Sequence, residues 1–188
     1  YIVMCVDPRG TGGRGEAFRK VTYLQLGKYE TIDQVEVAKY AASLPYVDGS
    51  RIGIWGWSYG GFISSSCMLK GDGAFKMGIA VAPVTNWRYY DNIYTERFMR
   101  KPKDNPNGYD QNSPLFFADK LKGKLLLVHG MADDNVHVQN TLELSERLVQ
   151  AGKQFDQMLY VNRNHGIYGG NTRMHLFTLI ENYLDENL

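Results

Sequence analysis

Short apolar runs alternate along this chain with segments whose apolar residues recur at helical spacing. The five runs are Tyr1–Val6, Arg51–Gly56, Met77–Val81, Lys124–His129 and Phe155–Val161. The main helical patterns are Thr31–Leu44, Gly60–Lys70, Val138–Ala151 and Thr172–Leu184. Short strands that alternate with longer helices are typical of βαβ units. The chain is therefore predicted to form an α/β fold, with a mostly parallel sheet and helices on both faces.

Two details refine this pattern. The segment Thr31 to Gln34 has the form of a capping box, which predicts that a helix starts there. Residues 86–119 interrupt the alternation, because they begin with aromatic residues and become rich in proline and asparagine. They are predicted to form an insertion that covers the functional site of the domain.

Composition sets few limits on function. The chain has 188 residues, of which 44% are hydrophobic and 22% charged, which suits a single globular domain. Its net charge of +1 gives no electrostatic reason to expect a nucleic acid or an anionic membrane as partner. No apolar run approaches the roughly 20 residues of a membrane span. Cys5 and Cys67 are expected to be buried, inert thiols.

The residues Gly56-Trp57-Ser58-Tyr59-Gly60 match the pattern G-x-S-x-G. The pattern is weak alone, but here a predicted strand ends at it and a predicted helix begins there. Such a turn would strain the backbone at Ser58 and expose its hydroxyl at the carboxyl edge of the sheet, with glycines where a Cβ would clash. It would also direct the Tyr59 backbone N–H at a developing oxyanion. Ser58 is the predicted nucleophile.

A serine nucleophile needs a base, and the base needs a carboxylate that orients it. On this kind of fold the acid follows a later strand and the histidine follows the last strand. The run Lys124–His129 leads to Asp133 and Asp134, and the run Phe155–Val161 leads to His165 in a loop. Position along the chain therefore favours His165 as the base and leaves the choice between the two acids open.

The other three histidines are less suitable as a base. His129 ends a predicted strand and is expected to be structural, His137 opens a helix, and His175 lies within the last helix. None of them follows the final strand.

A competing interpretation concerns the segment Gly10 to Gly15, which matches the dinucleotide pattern G-x-G-x-x-G. That motif requires a helix directly after a strand and then a second strand. Here Asp7, Pro8 and Arg9 intervene, and no second strand is predicted before Thr31. The glycines are better explained as a loop that passes close to other backbone, and no cofactor or metal is expected.

Several motifs, taken in order, resemble the prolyl oligopeptidase family, and most closely its dipeptidyl peptidase IV branch. They cover almost the whole chain and comprise Asp7 to Gly12, Gly56 to Gly61, Ala82-Pro83-Val84, Tyr89-Tyr90-Asp91, Tyr94 to Arg97, His129-Gly130, Ala132 to Val136 and His165-Gly166. The resemblance implies an α/β-hydrolase fold. It also implies a serine peptidase that releases N-terminal Xaa-Pro dipeptides through an acyl-enzyme.

Carried over by position, the resemblance gives each of these residues a role. Ser58 would be the nucleophile, the Tyr59 amide an oxyanion donor, and Asp133 the acid that orients His165. Asn135 would contact a backbone carbonyl of the peptide substrate. The walls of a proline pocket would be Tyr59, Val84, Trp87, Tyr90, Tyr94 and Val136.

The spacing of three aromatic residues supports such a pocket independently. If Trp87 to Arg97 is helical, Trp87, Tyr90 and Tyr94 lie on one stripe. Three aromatic rings can form a flat-walled apolar box, which suits a rigid pyrrolidine ring that has no donor. Such a stripe can equally be part of the hydrophobic core.

The resemblance also predicts what the chain lacks. It implies that residues 1–188 are part of a catalytic domain from a longer protein, without its N-terminal strands, its β-propeller and a tyrosine that supplies a second oxyanion donor. It implies a periplasmic or extracellular location. A missing strand between Tyr1–Val6 and Arg51–Gly56 would leave a slot in the sheet, to be filled by the rest of the polypeptide or by formation of a homo-oligomer.

Three alternatives remain open at this stage. The activity could be that of an oligopeptidase or acylaminoacyl-peptidase of the same family, or that of an esterase of the same fold. The chain could also be catalytically inactive as an isolated polypeptide.

Overall fold

The computed structural model describes residues 1–188, and its centre is a parallel sheet of four strands in the order β1-β2-β3-β4. The strands are β1 Gly53–Trp57, β2 Met77–Val81, β3 Lys124–Gly130 and β4 Asp156–Tyr160. The helices are α1 Glu16–Lys20, α2 Lys28–Ala42, α3 Tyr59–Lys70, α4 Asn92–Met99, α5 Pro106–Gln111, α6 Gln139–Gln150 and α7 Thr172–Asn187. The predicted parallel α/β architecture is confirmed.

The sheet separates two hydrophobic clusters. Adjacent side chains of a strand point to opposite faces, and accordingly Leu125 and Leu127 of β3 belong to one cluster while Leu126 and Val128 belong to the other. The larger cluster is completed by α2, α3, α6 and the insertion, and the smaller one by α7. Helices therefore cover both faces, and the carboxyl ends of all four strands share one edge.

The predicted strand Tyr1–Val6 is wrong. These residues lie outside the sheet and are exposed, and β1 pairs only with β2. A strand exists only through its ladder of backbone hydrogen bonds, and no other segment of the structure pairs with this one. The Tyr1 hydroxyl donates to Asp185 at 2.6 Å, and the Gln34 amide donates to the Val6 carbonyl at 3.1 Å.

The predicted start of the first long helix is also wrong. α2 begins at Lys28, three residues before Thr31, because Gly27 provides a left-handed residue with φ of 90° at the N-cap. The carboxylate of Glu30 accepts the Gly27 backbone N–H at 3.0 Å, as the acid of a capping box does. The Thr31 hydroxyl instead donates to the Gly27 carbonyl at 2.6 Å.

The insertion between β2 and β3 contains α4, α5 and two 3-10 segments, Trp87–Tyr89 and Pro114–Lys120. It packs against the same sheet face as α3 and α6, and it contributes Trp87, Met99, Tyr109 and Leu115 to the larger cluster. None of the helices combines the length and the hydropathy that crossing a membrane requires.

Candidate active site

Ser58 occupies a strained turn between β1 and α3. Its φ of 60° and ψ of −116° lie where residues other than glycine are rare. The turn is held by its main chain, since Ser58 N–H donates to the Val81 carbonyl at 2.8 Å and the Ser58 carbonyl accepts from Phe62 N–H at 3.0 Å. Tyr59 is the first residue of α3, and its N–H is therefore one of those that a helix leaves without an internal partner.

Two glycines make this turn sterically accessible. A Cβ on Gly56 would lie 2.3 Å from the backbone of Gly60, and one on Gly61 would lie 2.8 Å from the Val81 carbonyl oxygen. Gly60 itself has no neighbour within 4 Å that a Cβ would meet. The expected clash therefore exists at Gly56 and Gly61, where β1, α3 and β2 approach closely, and is absent at Gly60.

Asp133 and His165 meet at the carboxyl edge of the sheet. His165 Nδ1 lies 2.7 Å from Asp133 Oδ2, and the Asp133 side chain is completely buried. Asp133 Oδ1 accepts the backbone N–H groups of Asn135 and Val136, each at 2.9 Å. Asp134 is exposed, and its side chain makes no hydrogen bond. The structure thus brings His165 together with the first acid of the pair.

The pKa of the Asp133 carboxyl is lowered. Burial acts in the opposite direction and is the largest influence, but it is outweighed by hydrogen bonds from His129, His165 and the Asn135 backbone together with the attraction of His165. Asp133 is therefore ionised at neutral pH and can accept a hydrogen bond from His165 Nδ1–H. That hydrogen bond leaves His165 Nε2 free to serve as a base.

His129 is completely buried and lies behind the acid. Its Nε2 faces two acceptors, the Val136 carbonyl at 2.8 Å and Asp133 Oδ2 at 3.3 Å, and therefore carries the proton. Its Nδ1 then accepts the Thr141 hydroxyl at 2.7 Å. The histidine expected to be structural is thus in direct contact with the acid.

The nucleophile and the base are linked through Trp57. The Trp57 indole N–H donates to the His165 carbonyl at 3.0 Å, and the guanidinium of Arg173 lies 5.1 Å from the centre of one indole ring. The Ser58 hydroxyl makes no hydrogen bond within the chain. Hydrogen bonds between catalytic groups are often long before substrate binds and shorten in the complex.

The condition that Trp87 to Arg97 forms one helix is not met. A 3-10 turn ends at Tyr89, Tyr90 is extended, and α4 begins at Asn92 because the Asp91 side chain caps it by accepting Tyr94 N–H at 2.8 Å. The rings nevertheless form a cluster. Between ring centres, Trp87 lies 5.9 Å from Tyr90 and 5.8 Å from Tyr94, and Tyr90 lies 5.3 Å from Tyr94.

The residues expected to wall one pocket differ in exposure. Val84, Trp87 and Val136 are 2%, 1% and 0% exposed, and they are therefore part of the core beneath the surface. Tyr59 and Tyr94 border a cavity of about 920 Å³ that is also lined by Glu30, Arg97 and Phe98.

Two further predicted site residues lie on a different depression. Tyr90 and Asn135 border one of about 560 Å³, where the Tyr90 hydroxyl donates to Asn135 Oδ1 at 2.7 Å. The six predicted wall residues do not share one cavity.

The segment Gly10 to Gly15 is an open loop before the five-residue helix α1 and is not followed by a βαβ unit. Only Gly10 approaches a neighbour closely, since a Cβ there would lie 2.8 Å from Thr22. No group of three or more histidine, cysteine or acidic side chains has an arrangement that could hold a metal ion.

The sequence of the whole chain, residues 1–188, matches the model of the prolyl oligopeptidase family. The chain belongs to this family. The residues that meet at the sheet edge are thus found in a scaffold shared with known peptidases.

Relatives of this prolyl oligopeptidase family chain include dipeptidyl peptidases from bacteria and mammals. The crystal structure of Porphyromonas gingivalis dipeptidyl peptidase 4 superimposes with a TM-score of 0.97 at 57% identity, covering 98% of this chain and 26% of that one. Dipeptidyl peptidase 4 of Felis catus is 42% identical over 188 residues, 98% of this chain and 25% of the relative. That of Bos taurus is 41% identical, with the same coverage. The chain spans about a quarter of the length of these relatives.

Three residues with direct contacts to the site were not predicted to take part in it. Glu30 accepts the Tyr59 hydroxyl at 2.5 Å, His129 contacts Asp133, and Trp57 holds the His165 backbone. Trp57 has a local signal, because it directly precedes the nucleophile in the G-x-S-x-G motif. No local sequence pattern indicates Glu30, whose contact joins residues 29 apart, and the motif His129-Gly130 does not show that the buried ring of His129 touches Asp133.

Proposed function

We propose that this chain carries the catalytic centre of a serine peptidase that cleaves after proline and releases N-terminal Xaa-Pro dipeptides. The observation that carries the proposal is the 2.7 Å contact between buried Asp133 and half-buried His165, at the edge of the sheet where the strained Ser58 is also located. Membership of the prolyl oligopeptidase family and the similarity to proteins named dipeptidyl peptidase 4 support it.

In the proposed first step the Ser58 hydroxyl oxygen attacks the carbonyl carbon of the scissile bond. His165 Nε2 takes the hydroxyl proton, and Asp133 stabilises the imidazolium by accepting Nδ1–H. The Tyr59 backbone N–H donates to the oxyanion of the tetrahedral intermediate. His165 then gives its proton to the leaving amine, which leaves an ester between Ser58 and the dipeptide.

In the proposed second step water hydrolyses that ester. His165 accepts a proton from the water, the hydroxide attacks the acyl carbon, and Ser58 departs with the proton that His165 returns. Ionised Asp133 keeps His165 Nε2 directed toward the substrate in both steps. No residue changes its net protonation over the cycle, and the steps use only these side chains, the Tyr59 N–H and water.

Substrate selection is proposed to depend on the aromatic residues. The rings of Tyr59 and Tyr94, which border one cavity, and of Tyr90, which packs edge-on against Tyr94, would contact the proline ring. Buried Trp87, Val84 and Val136 would support them from behind. The Asn135 side chain, beside the Tyr90 hydroxyl, would donate to a backbone carbonyl of the substrate. Rigid aromatic walls with polar groups at the rim suit a peptide better than a lipid ester.

The test separates nucleophile competence from substrate choice, and it uses the natural protein that carries this sequence. A fluorophosphonate should label Ser58 stoichiometrically, and the Ser58→Ala variant should not be labelled. Among substrates, dipeptide amides of the form Xaa-Pro should be hydrolysed with higher kcat/KM than Xaa-Gly amides, N-acylated peptides or short-chain esters. Labelling without any Xaa-Pro preference would refute the proposed specificity, and absence of labelling would refute the proposed nucleophile.

A further inference from the structure

Glu30 is a buried acid that the proposed mechanism does not use. It is 4% exposed and lies in the first turn of α2, where the positive end of the helix dipole favours a carboxylate. Its Oε2 accepts Gly27 N–H at 3.0 Å, and its Oε1 accepts the Tyr59 hydroxyl at 2.5 Å. Both carboxylate oxygens thus accept a hydrogen bond, one from the N-cap of the same helix and one from α3.

The contact between Glu30 and Tyr59 depends on a close approach of α2 to α3. A Cβ on Gly27 would lie 2.3 Å from the ring of Phe62, and any other residue there would therefore require the buried Phe62 ring or the start of α2 to shift. The left-handed φ of Gly27 also allows the helix to begin at Lys28, which makes Glu30 the third helical residue. The acid is therefore placed by backbone geometry and not by a flexible loop.

The Tyr59 side chain is held by ring packing and by one hydrogen bond at its outer end. The body of its ring packs against Phe62 at 5.6 Å and against Trp87 at 5.5 Å between ring centres. The side chain also borders the cavity of about 920 Å³, so there is free space into which the ring could turn. The Tyr59 hydroxyl makes one hydrogen bond, the one to Glu30. Without it, a largely buried hydroxyl would lose its partner, and turning toward the cavity would restore contact with water.

We propose that Glu30 is a positioning residue for substrate selection: it holds the Tyr59 ring in the plane that forms one wall of the proline pocket. It would act through the Tyr59 hydroxyl and would not touch the substrate or the reacting atoms. The inference rests on the proposed function, because Tyr59 is assigned as a pocket wall there. It adds a residue from the start of α2 to a site otherwise built from the strand ends and the insertion.

The experiment compares three variants of the natural protein by the ratio of kcat/KM for a Xaa-Pro amide to that for the matching Xaa-Ala amide. Tyr59→Phe removes the hydroxyl and keeps the ring, and Glu30→Leu removes the acceptor at similar size. Each should lower the ratio about tenfold, mainly through KM for the proline substrate, and Glu30→Leu should leave fluorophosphonate labelling of Ser58 unchanged. Glu30→Gln keeps an oxygen acceptor for the hydroxyl and should retain most of the ratio.

The double variant Glu30→Leu/Tyr59→Phe should be no worse than either single variant, because both remove the same hydrogen bond. An unchanged ratio in Tyr59→Phe, or losses that multiply in the double variant, would overturn the proposal. Equal losses on the proline and alanine substrates would also overturn it, since they indicate a general structural role. If Glu30→Leu does not fold, Tyr59→Phe and Glu30→Gln still decide the outcome.

These outcomes are separate from failure of the proposed function. A wild-type protein with no preference for proline over alanine would refute that function before any variant is compared. A wild-type preference that survives in Tyr59→Phe would refute only the role of Glu30.

Discussion

The acid–base side of the site, Asp133 and His165, is held differently from its aromatic side, Tyr59, Trp87, Tyr90 and Tyr94. Asp133 is fixed by two backbone N–H groups of its own loop and by His129. The aromatic side is held mainly by ring contacts at 5.3 to 5.9 Å between separate segments. Backbone hydrogen bonds fix the positions of the reacting groups, whereas side-chain packing fixes the shape of the pocket. Changes on the first side should therefore abolish the reaction, and changes on the second should alter substrate choice.

The largest effects are expected for the acid–base side and for the nucleophile on which it acts. Ser58→Ala and His165→Ala should each lower kcat on the order of 10⁴–10⁶-fold, and the double variant should be little worse, because the groups act as a unit. Steady-state kinetics on a Xaa-Pro amide measures this, with circular dichroism to confirm folding.

The acid pair provides a matched control for this prediction. Asp133→Asn should cost about 10⁴-fold, as the same change does in other triads, because the amide cannot hold the imidazole in the required tautomer. Asp134→Asn should have little effect, since that side chain is exposed and unpaired. Equal losses from the two substitutions would show that the observed contact is not the one used in catalysis.

Intermediate effects are expected on the aromatic side. Tyr94→Ala should reduce kcat/KM for Xaa-Pro amides by about 5- to 160-fold, equivalent to about 1–3 kcal/mol, because it removes a ring that borders the cavity. Labelling of Ser58 should remain intact, since the nucleophile is not touched. Tyr46→Ala, at an exposed tyrosine after α2, serves as the control. If discrimination between proline and glycine is unchanged, the ring cluster is core packing alone.

A smaller effect should follow from weakening the contact between His129 and Asp133. Thr141→Val removes the hydroxyl that donates to His129 Nδ1, and a lost buried hydrogen bond of about 1 kcal/mol corresponds to about fivefold in kcat. Ser145→Ala, one turn along α6, removes a hydroxyl that does not contact His129 and should leave kcat unchanged. An increase in KM with kcat unchanged would contradict a role in holding Asp133.

The smallest effect is expected where the two sides meet. One hydrogen bond, from the Tyr90 hydroxyl to Asn135 Oδ1, joins them, and Asn135 is exposed. Tyr90→Phe should lower kcat/KM for a Xaa-Pro amide by no more than about threefold, because water can replace the lost partner. Tyr89→Phe is the neighbouring control. A loss above tenfold would mean that the two sides are more strongly coupled than their contacts suggest.

The same division explains which features the sequence predicts. The strands β1 to β4 agree with the predicted runs within two residues, because buried apolar segments between turn residues have few alternative structures. The positions of Ser58, Asp133 and His165 follow from the ends of those strands. Tyr1–Val6 has the composition of a strand, but a strand also needs a partner, which local sequence does not reveal.

The arrangement of the aromatic residues was harder to predict. Spacing indicated one helix from Trp87 to Arg97, but the Asp91 cap starts a new helix at Asn92 and leaves Tyr90 extended. The hydrogen bond from Tyr59 to Glu30 joins segments 29 residues apart. Such contacts depend on how α2, α3 and the insertion pack together, which spacing along one segment does not determine.

The Trp57–His165 hydrogen bond has a consequence for the lifetime of the competent state. The loop that carries the base can move away from the sheet only by breaking a bond anchored in β1, next to the nucleophile. Separation of base from nucleophile and transient opening of that loop are then one event with one free energy. Native-state hydrogen exchange of the loop amides should therefore report the fraction of time for which the site is disassembled. Trp57→Phe should accelerate that exchange while the amides of β2 and β3 remain protected.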